Sequence, residues 1–596
     1  MRWALWILLP AWAYADGPDP ETLNGMDAEL CGDWAQAIES YGRAVEKNPI
    51  GITRLHLRNA KSRGAAAMSE RMNQLIKGKH WAEVALATAL AREVSPKGRT
   101  ARRGQSALKR AKVAVPDALD EGVAALPSRS PRGRASYLLR YGGMGARAEG
   151  IKRGCLEFLV RTQEEDGRWD ADKHGGKAYY DIGVTALALM AFLVDGPEAL
   201  KGPHKIAIQK AVDYLKSVRS KHGFGPPASQ HFMYMVAFAT EAMAEYAVIA
   251  GKAKELEDEL ENARDFLQRA RNRDLAWRYD PRGGENDTSV TCCVVEALHA
   301  LQLAGLEIDQ DAWKGALAWV NKVTDPEFGQ TGYVQRGGQS ARPGGMQDKY
   351  PAEQSQAMTA AGCVVRAYTG GKLTSGSLAR IEKVPPSLRY ADFYYWVLGA
   401  RAFQARTGAI PAAWYEPLVE VVGKLVESDG GIRVTGPWGP DGGRIYTTAM
   451  CVLAMACPYR EPGPRHGHGW TMSEFRRNRL RSVTVLAKPG IARTGIYIDP
   501  SAALSVRTFG IIRPGRYLST VRASGMKTAP GGARRIVKKA PYYCLVGRVG
   551  LKGKPFRIVE DKPITTKEAG ELYLLTNTKD RATASGFWNI EIRPSE

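Results

Sequence analysis

Between residues 146 and 460 two kinds of helix alternate, and few folds accommodate both. Amphipathic stretches fall near 148–163, 204–219, 256–271, 309–322 and 412–428, with a weak one near 374–382. In the second, Ile208, Ala211, Val212, Leu215 and Val218 form one apolar stripe at helical periodicity. After each comes a glycine- or aromatic-rich turn, such as Asp166-Gly167-Arg168-Trp169 or Asp429-Gly430-Gly431. A second helix follows that is apolar nearly all round, at 182–193, 232–249, 290–304, 357–368, 393–403 and 447–456. A helix with no polar face must be covered on every side. Six such pairs predict a closed (α/α)6 ring, with inner helices as a barrel and outer helices wrapped around it. An open solenoid is the competing arrangement.

The turns carry a motif. Gln163-Glu164-Glu165-Asp166-Gly167-Arg168-Trp169 matches the Q-x-x-x-G-x-W repeat of squalene and oxidosqualene cyclases. Asn286–Thr291 and Gly442–Ala449 resemble inner-helix starts in the same group and in protein prenyltransferases. The resemblance implies a cyclase- or prenyltransferase-type α/α toroid over 146–460. It does not bring their chemistry. The D-x-D-D acid of the cyclases has as its nearest counterpart Asp170-Ala171-Asp172-Lys173, read as a solvated turn. The Asp-x-Cys zinc ligands of the prenyltransferases are missing, as is D-D-x-x-D. Neither metal nor cofactor is expected.

The flanks differ from this middle. Residues 1–15 read as a secretory signal: Arg2, an apolar run, then Ala13-Tyr14-Ala15 before Asp16. They predict an exported protein of periplasm, envelope or medium. No later uninterrupted apolar run reaches span length, so no membrane helix is expected. Residues 16–115 read as helical hairpins; Ala37, Tyr41, Ala44 and Pro49 sit at tetratricopeptide-like spacings, and Trp81, Val84, Thr88, Ala91 and Pro96 repeat them. Such repeats offer a protein partner a groove or serve equally well as structural packing. Residues 116–145 and 461–480, rich in Pro, Gly and Ser or His, read as linkers. Residues 481–596 alternate short β-type runs with turns, predicting a small β-sandwich. Its Thr494-Gly495-Ile496, Leu545–Gly550, Gly553–Phe556 and Ser585-Gly586-Phe587 are similar to PA-IL-type galactose-binding lectins. The carboxylate and amides that bind calcium and sugar there are replaced by Thr583 and Ala584. The eight cysteines follow no framework spacing, and most lie in apolar helical patterns.

Charge is uneven. The chain carries a net +22, and residues 476–596 hold 24 Lys and Arg against 8 Asp and Glu. With export, that excess suits an acidic glycan or envelope surface rather than nucleic acid, and equally a charged surface that only keeps the protein in solution.

In a helical ring the ligand site is one mouth of the barrel. Polar and aromatic residues gather where the inner helices start. Ligand-binding candidates are Tyr180, Tyr234, Asn286, Thr288, Gln354, Tyr394, Tyr395, Arg444, Tyr446 and Thr447. If a reaction occurs, Asp181, Asp287 and Asp392 are the acids to suspect and His231 the base. Asp287, Thr288 and Thr447 equally suit helix caps, and the aromatics suit packing. The expected function is binding of a hydrophobic or extended ligand, or of a partner, within the envelope. An enzyme acting on a terpenoid or polysaccharide through mouth carboxylates, and a non-catalytic scaffold, are the alternatives.

Overall fold

The computed structural model describes residues 20–460 and 481–594, apart from 48–50, 121, 124–125, 127, 226–230, 274, 339, 347–348, 351–354, 373–375, 487–491, 499–502, 514–521, 528–533, 550–552, 560–561, 566–569 and 579–584. The signal at 1–15 and the linker at 461–480 lie outside the described residues, as do Gln354, Thr583 and Ala584. The chain forms two compact units, Met1–Phe475 and Arg476–Glu596.

The first unit opens with helices α1 (Pro20–Cys31), α2 (Trp34–Lys47), α3 (Gly51–Lys77), α4 (Trp81–Val94) and α5 (Arg99–Ala111). The small residues at repeat spacing lie on packed faces: Ala37, Tyr41 and Ala44 are buried on α2, and Val84, Thr88 and Ala91 on α4. The expected linker at 116–145 holds a helix instead, α6 (Pro131–Tyr141). Its Ser130-Pro131 pair starts a helix rather than a loop. Ser130 Oγ accepts the Gly133 amide at 3.0 Å, and Pro131 sits where a helix needs no N–H. α6 packs on α3 and α4 and buries Tyr137, Leu138 and Tyr141.

The alternating helices follow. The amphipathic ones are α7 (Gly143–Thr162), α9 (Lys205–Ser217), α11 (Glu257–Ala270), α13 (Gln310–Val323), α15 (Ser377–Lys383) and α17 (Ala412–Leu425). The apolar ones are α8 (Asp181–Phe192), α10 (Phe232–Ala250), α12 (Thr288–Leu303), α14 (Ala357–Tyr368), α16 (Phe393–Thr407) and α18 (Gly439–Arg460). α8 packs on α10, α10 on α12, α12 on α14, α14 on α16, α16 on α18, and α18 back on α8. The apolar helices therefore form a closed cycle, and the amphipathic helices lie against it. Two stretches, Ala178–Leu200 and Phe232–Ala250, are long and apolar enough by length and mean hydropathy to cross a bilayer, although acidic residues interrupt both. Both lie mostly buried in this cycle.

The repeat motif is structural glue. Gln163 Nε2 donates to Gly167 O and to Ala207 O on α9, both at 2.9 Å. Gly167 has φ +94°, and a Cβ there would meet Lys210 O at 2.1 Å, so only glycine fits. Buried Trp169 donates from Nε1 to Leu159 O at 2.8 Å, and Trp277 repeats the bond to Leu267 O at 2.7 Å. On four inner helices, α8, α12, α14 and α18, a threonine accepts from the turn: Thr185 from Trp169 N, Thr291 from Trp277 N, Thr359 from Thr331 N and Thr448 from Ile432 N. Among the described residues seven cysteines, six of them in this unit, are buried.

The second unit has two antiparallel sheets. With β1 (Arg219–Ser220) and β2 (Gly223–Phe224) forming a short ladder in the first unit, its strands are β3 (Arg481–Leu486), β4 (Ala492–Ile498), β5 (Leu504–Arg513), β6 (Leu545–Val549), β7 (Phe556–Arg557), β8 (Gly570–Thr576) and β9 (Ser585–Pro594). One sheet is ordered β3-β9-β5 and the other β4-β8-β6-β7. Leu504, Val506, Ile590 and Ile592 from the first share a core with Leu545, Val549, Leu572 and Leu574 from the second. Strand β5 was not anticipated, although its apolar residues partly alternate.

Candidate functional site

The inner helices divide the bore into two chemistries. Near their N-terminal ends lies a cavity of about 90 Å³ with almost wholly apolar walls. Tyr180, Gly183, Val184 and Leu187 come from the start of α8, and His231, Tyr234, Met235 and Phe238 from the start of α10. Tyr394 comes from α16, with Trp438, Asp441, Gly442 and Tyr446 at the start of α18. Gly443 (φ +65°) breaks that last helix; a Cβ there would meet His174 O at 2.5 Å. The break leaves Gly442 on the cavity wall.

Tyr180 OH is hydrogen-bonded to His231 Nδ1. The imidazole meets Trp438 and Tyr279 edge-on, with centroids 6.1 and 5.2 Å away. Burial lowers the His231 pKa, which favours the neutral ring, and raises Tyr180 and Tyr234 above the ordinary phenol value. Tyr234 OH shares a hydrogen bond with Ser289 Oγ, which donates to Asp287 Oδ1 at 3.0 Å. Asp441, the carboxylate on the wall, is ion-paired with Lys177.

Five candidates thus meet in one cavity: Tyr180, His231, Tyr234, Tyr394 and Tyr446. The others do different work. Asp287 caps α12, accepting the Val290 amide at 2.7 Å, and burial pushes its carboxyl up to about 6. Thr288 donates to Gly332 O at 2.7 Å, and Asn286 accepts the Ala276 amide at 3.0 Å. Asp392 caps α16 and is paired with Arg342 at 2.6 Å, both side chains fully buried. Tyr395 donates to Val384 O at 2.6 Å, Thr447 to Ile432 O at 2.9 Å, and Arg444 pairs with Asp429 at 2.6 Å.

Asp181 accepts the Ala171 amide and Arg168 Nη1, each at 2.8 Å, and burial pushes its carboxyl up to about 6. Its oxygens lie within 4.8 Å of ligand atoms on Asp170 and Asp172. These three are the carboxylates, among the described residues, grouped closely enough to hold a cation, and Arg168 already supplies positive charge to two of them. Asp170 is largely buried, which corrects the solvated-turn reading for that residue; Asp172 is exposed.

Toward the C-terminal ends the bore is ionic. Arg129 pairs with Glu245 at 2.7 Å, Arg460 with Glu245 at 2.7 Å and Glu241 at 3.3 Å, and Arg401 with Glu241 at 2.8 Å and with Glu296. All six side chains are nearly inaccessible. Burial alone would raise Glu245, but Arg129 and Arg460 outweigh it and hold the carboxyl well below its usual range. These charges were missed, although Glu241, Glu245, Glu296 and Arg401 each interrupt an otherwise apolar helix and Glu241 and Glu245 share a face at i, i+4. Trp438 was also missed, sitting before the α18 glycines.

No family model matches this chain, and neither does any curated protein. Solved structures of the type II terpene cyclase MstE from Scytonema are similar to it. One variant, in complex with its substrate geranylgeranyl dihydroxybenzoate, is 13% identical, and another, without ligand, 14%. Each covers 53% of this chain and 98% of its own, with a TM-score of 0.34, which marks a loose likeness.

Proposed function

We propose that this protein binds one end of an extended apolar molecule of isoprenoid type in the mouth of a terpenoid-cyclase-like α/α toroid, without cyclising it. The aromatic cavity at the inner-helix starts carries this reading. Apolar walls reward burial of hydrocarbon at about 25 cal/mol per Å². At about 90 Å³ the space is below the ~150 Å³ cavity that accepts benzene, so it suits a chain end rather than a folded polyene. Protonating an alkene needs a strong acid aimed into the cavity. Asp441 is neutralised by Lys177, Asp181 is engaged by Arg168, and Asp392 is paired with Arg342.

Native mass spectrometry of the full chain with squalene and a long prenyl alcohol tests the reading. We expect a one-to-one adduct that Leu187→Trp abolishes at unchanged melting temperature. An adduct retained by that variant places the ligand elsewhere and removes the proposal.

One observation favours an enzyme. The Asp287 carboxyl, raised by burial, connects through Ser289 to Tyr234 on the cavity wall. Chemical conversion of a bound isoprenoid by the native chain, lost in both Asp287→Asn and Tyr234→Phe, would replace binding with catalysis. Export belongs to the same proposal. Chain recovered from its native host should begin at Asp16; an intact Met1 would contradict it.

A further inference from the structure

From 500 to 559 the chain has thirteen Lys and Arg and neither Asp nor Glu. Sixty residues without an acid leave these cations no carboxylate within their own stretch. The second unit gathers several of them on one face. In β6, Leu545 and Val549 point into the sandwich core, so Val546 and Arg548 point outward. Val546 stands opposite Leu575 on β8 and Arg557 on β7, and Arg548 stands opposite Tyr573. Directly opposed residues share a face, which puts Arg548 and Arg557 together on the outside of the four-stranded sheet.

A second group is laid over the same face. Ile536, Val537 and Ala540 pack on Val546 and Leu575, carrying the run Arg534-Arg535-Ile536-Val537-Lys538-Lys539 across the sheet. Fully buried Asn577 pins the run from beneath. Its Oδ1 accepts the amides of Ile536 and Val537, both at 2.8 Å, and its Nδ2 donates to Pro541 O at 2.7 Å. Lys538, Lys539 and Arg557 are exposed, and with Arg548 they make no ion pair among the described residues. A cluster held rigid before binding loses less entropy on binding than one on a mobile tail.

We propose that this face docks an acidic polysaccharide. A linear polymer with a negative charge on each unit can meet several of these cations at once and releases its counterions in doing so. Two other polyanionic partners fit less well. Single-stranded nucleic acid is held by aromatic rings that stack on bases. Here the Tyr542 ring is covered by the Arg535 guanidinium at 4.4 Å, and Tyr543 and Tyr573 are buried. A bilayer surface is gripped by apolar side chains inserted among the lipids. Among the described residues of this unit no large hydrophobic side chain is exposed.

The test uses the full chain and polygalacturonate, with neutral dextran, duplex DNA, single-stranded DNA and anionic phospholipid vesicles as competitors. Binding is followed against salt, for the native chain, for Lys538→Glu with Lys539→Glu, and for Lys205→Glu with Lys254→Glu. The last pair makes the same change of net charge at exposed sites in the first unit. The expected result is binding to polygalacturonate but not dextran, falling steeply with salt. Reversal at 538 and 539 should lower the slope of log K against log salt by about 2, and reversal at 205 and 254 should leave it unchanged. Equal loss in both variants reduces the effect to net charge and overturns the proposal. Stronger retention of DNA or vesicles than of polygalacturonate overturns it in favour of those partners. Near-ultraviolet circular dichroism of each variant separates lost binding from lost folding.

Discussion

Asp287 does two jobs that oppose each other. As a cap it accepts the Val290 amide in the first turn of α12. As a buried carboxyl it resists ionising, which pushes its pKa up to about 6. For an acid raised above its unfolded value near 3.9, the contribution to stability is complete below about pH 4 and is lost as pH rises through 6. The loss amounts to about 3 kcal/mol. Asparagine keeps the capping oxygen and never ionises. Urea unfolding of the native chain and of Asp287→Asn should therefore show the variant gaining about 2 kcal/mol relative to the native chain between pH 4 and 7. A pH-independent difference would mean the carboxyl ionises freely in place. Asn577 is a simpler case. Asn577→Ala leaves the Ile536 and Val537 amides without their acceptor, at a cost of about 2 kcal/mol. It should also loosen the cationic run, so that affinity for polygalacturonate falls although no charge is altered. Residue type alone revealed which aromatics stand at helix starts. It could not separate Tyr394, which reaches the cavity, from Tyr395, which turns toward Val384, because adjacent helical positions differ by about 100°.

The inner helices α10, α12, α16 and α18 are apolar along most of their length and charged at one level. Glu241, Glu245, Glu296, Arg401 and Arg460 meet there, and none has solvent to fall back on. A buried network of this kind adds little net stability over a well-packed apolar plug, but breaking it is costly. Arg401→Met removes the buried cation that Glu296 and Glu241 share. We expect a loss of about 3–5 kcal/mol, measured by urea unfolding, whereas a surface reversal such as Lys254→Glu should change stability by less than about 0.5 kcal/mol. The periodicity of 3.6 located these helices well, since a sustained stripe or an unbroken apolar face has one simple interpretation. It was less informative for α6, where turn-forming residues turn out to be a cap and a first helical position. It also passed over β5, where Thr508 and Gly510 interrupt the apolar alternation.

At the scale of the first unit, the N-terminal helices and the helical ring are one body. Arg129, just before α6, reaches the ionic end of the bore; Tyr137 and Tyr141 of α6 bond to Tyr415 OH at 2.9 Å and Ile410 O at 2.8 Å; Arg153 of α7 pairs with Glu83 of α4 at 2.7 Å. A chain beginning at residue 146 would lose all three ties and take Arg129 away from Glu245. It should melt more than about 5 °C below one beginning at residue 116, which retains Arg129 and α6. Equal melting temperatures would show that the ring is complete without α6.

The alternation of amphipathic and wholly apolar helices, the glutamine-glycine-tryptophan turns and the acid-free basic stretch were all readable along the chain. Each is a local or composition-level property, fixed by which side chains must avoid water and which cannot. What each polar group pairs with was decided only by tertiary structure. Whether Asp392 is a free acid depends on Arg342, fifty positions earlier, and whether Glu245 is tolerable depends on Arg129 and Arg460, from far apart in the chain. A buried charge takes its chemistry from whatever stands within about 4 Å, and for these residues that neighbour comes from a distant segment.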